Sequence, residues 1–299
     1  MFFTRLGSGI LLVVLALVFI IAGGPLLAAL LCLISLAAYR ELGKAVGFIT
    51  EDKTKRALEY TGMILTVLYY VWIYFGLADL WRLDSTSSGV AIPFYMMIYR
   101  YQALAIGIVA AFIVYLFVYV IRFPNYHGRN VMSACFSFLY GPVMLSFLYL
   151  IREGFPTGKY LVWLVFLCSW GSDTCAYVTG VLFGKHKMTP KLSPKKSVEG
   201  AIGGIVGAAL LFTLYVFLVE RYFESGQFGI STVGAVTLGA AGAVVSMVGD
   251  LAASAIKRDY GIKDYGKLIP GHGGIMDRFD SVIIAAPLIF IGLSLMWWI

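Results

Sequence analysis

Nine apolar stretches, each near the length that crosses a bilayer as a helix, take up most of this 299-residue chain. Roughly 20 residues at about 1.5 Å per residue cover the ~30 Å hydrocarbon layer. The stretches fall near 8–23, 25–39, 60–80, 103–121, 131–151, 160–182, 199–219, 231–256 and 281–298. In lipid, backbone N–H and C=O groups have to be satisfied within the segment, so each run is expected to be a helix. The expected fold class is an all-α polytopic integral membrane protein with about nine transmembrane helices. Composition points the same way: with 60% hydrophobic and 13% charged residues there is too little charge to coat a water-facing sphere. A soluble enzyme, a disordered chain and an extracellular disulfide scaffold are excluded. The first two runs are joined only by Gly23-Gly24-Pro25 and read as a hairpin of spans over 8–39. A cleaved leader over 1–24 is the competing reading, disfavoured by the second run that follows at once and by Pro25. The cysteines (Cys32, Cys135, Cys168, Cys175) lie in apolar stretches without CxxC spacing and read as small core residues.

Orientation follows from Lys and Arg. With nine spans and a cytoplasmic N-terminus, 18 of the 23 cations fall inside, and only Arg82, Arg100, Arg152, Lys159 and Arg221 fall outside. That asymmetry is what the positive-inside rule requires, and it accounts for most of the net charge of +7 without a nucleic-acid partner. Residues 1–150 read as N-terminal transmembrane helices, and 151–299 as a catalytic transmembrane region with cytoplasmic loops 185–198 and 257–280. Residues 81–102 are expected as an external loop, and 40–58 as a cytoplasmic segment suited to a surface-lying helix.

Ionisable groups inside apolar spans are costly and need a reason. Asp173 lies mid-span, and helical spacing puts Ser169, Asp173, Tyr177 and Gly180 on one face. Asp250 lies four residues after Ser246 and four before Ser254, with Lys257 and Arg258 one turn further on. The plain alternative for both aspartates is an interhelical hydrogen-bond network.

The loop Lys185-His186-Lys187-Met188-Thr189-Pro190-Lys191-Leu192-Ser193-Pro194-Lys195-Lys196-Ser197, followed by Val198-Glu199-Gly200, puts five lysines before a Gly-rich helix start. This suits a polyphosphate, although anionic lipid head groups would be served by the same charge. No GxxxxGK[ST] spacing occurs. The stretch Ser254 to Asp280 is the richest. Gly271, Gly273 and Gly274 around His272 permit a phosphate nest, and Asp277 and Asp280 are three apart at a helix start. Carboxylates are hard oxygen ligands suited to Mg²⁺, and with cations and a Gly nest they suit metal-assisted phosphoryl or nucleotidyl transfer.

Residues 254–280 match Ser-x-x-Lys-Arg-x4-Lys-Asp, a small residue, then Pro-x-His-Gly-Gly-x-x-Asp-Arg-x-Asp. This stretch closely resembles the signature of CDP-diacylglycerol synthases, the phosphatidate cytidylyltransferases. Asp173-x-x-Ala176-Tyr177-x-x-Gly180, Gly184-Lys185, Ser193-Pro194-Lys195-Lys196-Ser197-x-Glu199-Gly200 and Gly249-Asp250 resemble the same family. The resemblance covers roughly 160–299, and the first 150 residues share only their apolar character. It implies CMP transfer from CTP to phosphatidate, releasing pyrophosphate, with Mg²⁺ required and a second cation left open. It also implies a multi-pass protein of the inner (cytoplasmic) membrane with its site facing the cytoplasm, and a homodimer.

On that resemblance Asp250 and Asp277 are the first choice of metal ligands, then Asp280 and Asp173, with a hydroxyl from Ser254. Lys257, Arg258 and Arg278 would hold phosphates, while Lys195, Lys196 and Ser197 would hold CTP. Tyr177, Lys185, Ser193, Glu199, Gly273 and Gly274 join the substrate-binding set. His272 either contacts the pyrophosphate or braces the glycine turn. The rival readings are a polyprenol kinase, a CDP-ether-lipid synthase and, from a different class, a transporter, which would instead need polar groups at mid-membrane reached from both sides.

Overall fold

The structure, a computed structural model, describes residues 13–50, 56–84, 94–155, 157–223, 229–269 and 273–296, with the backbone alone described at 77–84, 94–101 and 103. Among these residues the chain is helical apart from one short hairpin. The helices are α1 (Val13–Ala22), α2 (Gly24–Ala45), α3 (Ala57–Asp84), α4 (Phe94–Ile121), α5 (Gly128–Gly154), α6 (Gly158–Phe183), α7 (Val198–Tyr222), α8 (Thr232–Asp259) and α9 (Met276–Met296). From α2 onward all eight are long and apolar enough to cross a membrane, and α1 is a shorter apolar helix. The expected first span begins outside the described residues.

Local chemistry sets the boundaries. Gly23 and Gly24 have φ of 63° and 53°, a left-handed geometry that costs glycine little, and Pro25 then enters the first turn of α2 where its missing N–H is no loss. Tyr126 Oη accepts the Ala57 N–H at 2.8 Å, satisfying an orphan donor at the start of α3. Ser197 and Ser231 cap α7 and α8 through their hydroxyls, each accepting an N–H three residues on at 3.1 Å.

Four expectations change. The external loop drawn at 81–102 is largely helix, because α3 runs to Asp84 and α4 starts at Phe94. In place of a surface helix after Arg40, α2 continues to Ala45 and the described residues to 50 form a turn. The loop before α7 contains two antiparallel strands, β1 (Lys187–Thr189) and β2 (Ser193–Ser197), with Lys187 opposite Ser197 and Thr189 opposite Ser193. Finally, α5 and α6 each contain a π turn, at Leu139–Val143 and Leu167–Gly171. The first accommodates Pro142, which has no N–H for an α-helical bond. The second lies just ahead of Asp173.

The chain divides into two compact units: residues 1–149 with 265–276, and 150–264 with 277–299. The first unit is organised around Tyr39, which is fully buried. Tyr39 donates to Leu58 O at 2.9 Å and accepts from Tyr115 Oη at 3.1 Å, and its ring occupies the space that a Cβ on Gly62 would need. Ser35 and Tyr70 (2.8 Å), and Tyr69 and Ser146 (3.1 Å), pair by hydrogen bonds in the same interior. In the second unit small residues bring backbones together. Gly203 faces Thr179, Gly207 faces Cys175 and Gly242 faces Cys168, the close approach by which membrane helices associate without a hydrophobic drive. Cys168 is buried and the other three cysteines are partly so, all as free thiols. Outward faces carry exposed Leu33, Phe75, Val120, Leu210 and Phe217, as lipid-facing surfaces do.

Candidate active site

α8 supplies the axis of the site. Ser246 and Asp250 follow one another at helical spacing, with Lys257 and Arg258 in the last turn, where the helix dipole favours cations. Ser246 is fully buried and its Oγ has no hydrogen-bond partner. Asp250 forms an ion pair with Lys196 of β2. Lys257 Nζ donates to Asp277 Oδ1 at 2.9 Å, and both side chains are largely buried. Arg258, the next residue, is exposed.

Gly249, just ahead of Asp250, is the reason α8 and α9 pack so closely here: a Cβ would stand 2.8 Å from the Asp280 carbonyl oxygen. The first turn of α9 contributes Asp277 and Asp280, both buried, and Arg278, half-buried with an Nε that has no hydrogen-bond partner. Asp280 Oδ1 accepts the Ser281 N–H at 2.8 Å. The charges of Asp173, Asp250 and Asp280 act on one another. Lys196 and Arg278 act on Asp173, and Lys257 on Asp280. Three carboxylates are thus gathered among three cations.

Ser169, within the π turn ahead of Asp173, is buried and donates to Val165 O at 2.8 Å. Asp173, Tyr177 and Gly180 do line one cavity, of about 440 Å³, together with Lys195, Lys196 and Ser197. Ala176, Val181, Met188, Gly200, Ala201 and Met247 complete it, making one part charged and the rest apolar. That lining suits an amphiphile carrying an anionic group.

Other residues singled out from the sequence act on the scaffold. Ser197 Oγ caps α7 while facing the cavity. Ser197→Ala is expected to cost about 1 kcal/mol of stability, measured as a lower thermal midpoint in detergent. Glu199 accepts the backbone N–H groups of Lys185 (3.1 Å) and His186 (3.2 Å) and pairs with His186 Nδ1 at 2.6 Å, pinning the start of the hairpin to α7. Ser193 begins β2, and Ser254 lies half-buried on α8. Gly273, with φ of 85°, and Gly274 belong to the first unit, and His272 lies outside the described residues.

Glu41 on α2 escaped the sequence reading. Its buried carboxylate accepts the N–H groups of Ile275 (3.1 Å) and Met276 (2.9 Å) at the entry to α9. The available signal was an acid in the C-terminal part of an apolar helix, where the dipole disfavours it.

Among the described residues no group of three acidic, histidine or cysteine side chains is close enough to hold a metal ion by itself. The cluster can still gather phosphates: paired lysines and an arginine beside carboxylates form a polar site at the edge of an apolar cavity.

Comparison with known proteins places this arrangement. The chain is 35% identical over 161 residues to a phosphatidate cytidylyltransferase of Rickettsia bellii, covering 54% of this chain and 69% of that protein. It is 40% identical over 130 residues to a phosphatidate cytidylyltransferase of Haemophilus influenzae, covering 44% of each. A third, from Thermotoga maritima, is 30% identical over 168 residues, 56% of this chain and 61% of the relative. The chain thus spans less than two thirds of the last two. The match to the cytidylyltransferase family itself runs over residues 3–296, nearly end to end, and the chain belongs to that family.

Proposed function

We propose that this protein transfers CMP from CTP to phosphatidate, forming CDP-diacylglycerol and pyrophosphate for phospholipid synthesis. The observation that carries the reading is the cavity in which Asp173, Lys195 and Lys196 meet an apolar wall, with Asp250 bound to Lys196. A lipid phosphate needs both parts of such a site. The phosphatidate cytidylyltransferases among the relatives name the reaction, and the family's nucleotide is CTP.

A phosphate oxygen of phosphatidate forms a bond to the α-phosphorus of CTP as the bond to the pyrophosphate oxygen breaks. The nucleophile is already anionic, so no strong general base is required. The protein's work is to bring two anions together and to neutralise charge on the departing pyrophosphate. Lys195 and Lys196 bind phosphate oxygens, and Lys257 and Arg278 offset the leaving group's charge. The donors suit Mg²⁺, which takes one or two carboxylates and completes its shell with water and substrate phosphate. Asp250 and Asp277 would hold it, with Asp280 and Asp173 next, and its charge would help neutralise the triphosphate. The site faces the cytoplasm of a bacterial inner membrane, a placement supported by the 18-to-5 division of cations.

Purified protein given CTP, phosphatidate and Mg²⁺ is expected to release pyrophosphate, and EDTA is expected to stop it. CTP labelled in cytidine and in the γ-phosphate separates this reaction from a lipid kinase. Cytidine label on lipid supports the transferase. The γ-label on lipid, or no turnover beside an active control enzyme, overturns it.

A further inference from the structure

One carboxylate outside the charged cluster is enclosed by backbone. Glu41 lies toward the C-terminal end of α2, and burial of an ionised acid requires donors around it. Two come from residues far along the chain: Ile275 N–H donates to Oε1 at 3.1 Å and Met276 N–H to Oε2 at 2.9 Å. Gly266 and Gly274 close in from other sides, and a Cβ on either would overlap the carboxylate. Between them Ile269 N–H donates to Gly273 O at 2.9 Å, and Gly273 adopts a φ of 85°, which glycine tolerates. Gly266, Gly274, Ile275 and Met276 are therefore gathered around a single side chain.

The amides of Ile275 and Met276 stand at the start of α9, where N–H groups have no acceptor within the helix. The next residue is Asp277. Two bonds to the two oxygens of one carboxylate fix the two peptides that lead into Met276, the residue just ahead of Asp277. We propose that Glu41 is a positioning residue for nucleotidyl transfer: without touching the reacting atoms, it sets where the signature loop ends and α9 begins. This rests on the transferase reading above. A neutral glutamine keeps one acceptor oxygen in the same shape, whereas alanine keeps none.

The test uses full-length wild type, Glu41→Gln and Glu41→Ala in detergent micelles with CTP, Mg²⁺ and phosphatidate. Steady-state kinetics are measured per folded molecule, together with hydrogen exchange of the 265–276 segment. Misplacement of about 1 Å costs up to ~10²-fold in rate. The expected result is kcat lower by about 10-fold in Glu41→Gln and about 10²-fold in Glu41→Ala. KM values for both substrates stay near wild type, and exchange accelerates in the 265–276 segment while α3 and α8 keep their protection. Wild-type kcat per folded molecule in Glu41→Gln, or a loss carried by KM, overturns the proposal whether or not Glu41→Ala folds. An inactive wild type sinks the transferase reading first; an active wild type indifferent to Glu41 sinks this proposal alone.

Discussion

Asp277→Asn is expected to lower kcat by about 10³-fold or more while leaving the KM for CTP within a few-fold. Several kcal/mol of transition-state stabilisation is what a metal-holding carboxylate contributes, and each 1.36 kcal/mol is about tenfold in rate. The substitution also removes the charge that faces Lys257 Nζ at 2.9 Å in a largely buried setting. Breaking a buried ion pair from one side costs roughly 3–5 kcal/mol. The variant should therefore lose activity and unfold at a lower temperature. Kinetics of pyrophosphate release and thermal unfolding in the same detergent check both halves. Near wild-type turnover would remove Asp277 from the reaction.

Asp250→Asn is expected to be as damaging to turnover, about 10³-fold, but with a smaller stability loss. Its carboxylate acts on those of Asp173 and Asp280, so neutralising it relieves repulsion at two neighbours. What is lost is the ion pair with Lys196, whose two side chains are each about a quarter exposed, at 25% and 28%. A surface pair contributes only about 0–1 kcal/mol, but the Lys196 Nζ is itself buried and loses its partner, which offsets part of the relief. The thermal midpoint should then fall less than in Asp277→Asn as activity collapses. Such a divergence is the mark of charge assembled for substrate at the expense of the fold. A parallel loss of stability and activity in Asp250→Asn would instead make the aspartate a structural link between β2 and α8.

The two variants separate roles that look alike along the chain, since both aspartates lie in membrane-crossing helices close to a lysine. The difference comes from partners contributed by other elements. Asp277 has its lysine on the preceding helix, 20 residues back, and Asp250 has its lysine on a β-hairpin. No local pattern specifies such pairings.

Much of the architecture was legible because a bilayer imposes a local rule. Every backbone group inside it must be satisfied by its own segment, so length and hydropathy alone delimit the helices. The expected runs near 25–39, 199–219 and 231–256 correspond to Gly24–Ala45, Val198–Tyr222 and Thr232–Asp259. The hairpin before α7 was missed because its strands are only three and five residues long, mostly polar, with no alternation to read. The π turn before Asp173 was missed because one added residue in a turn leaves no compositional trace.

What this sequence determined by itself is the set of crossing helices and the residue types for phosphate chemistry, since hydropathy, helical spacing and a dense motif all act between near neighbours. Only the tertiary structure decided which lysine faces which aspartate, how an apolar wall adjoins Lys195 and Lys196, and that Glu41 holds the entrance to α9. Those are meetings of residues distant along the chain, set by small-residue packing and by the need to satisfy buried charge. Neither cause leaves a periodic mark in the sequence.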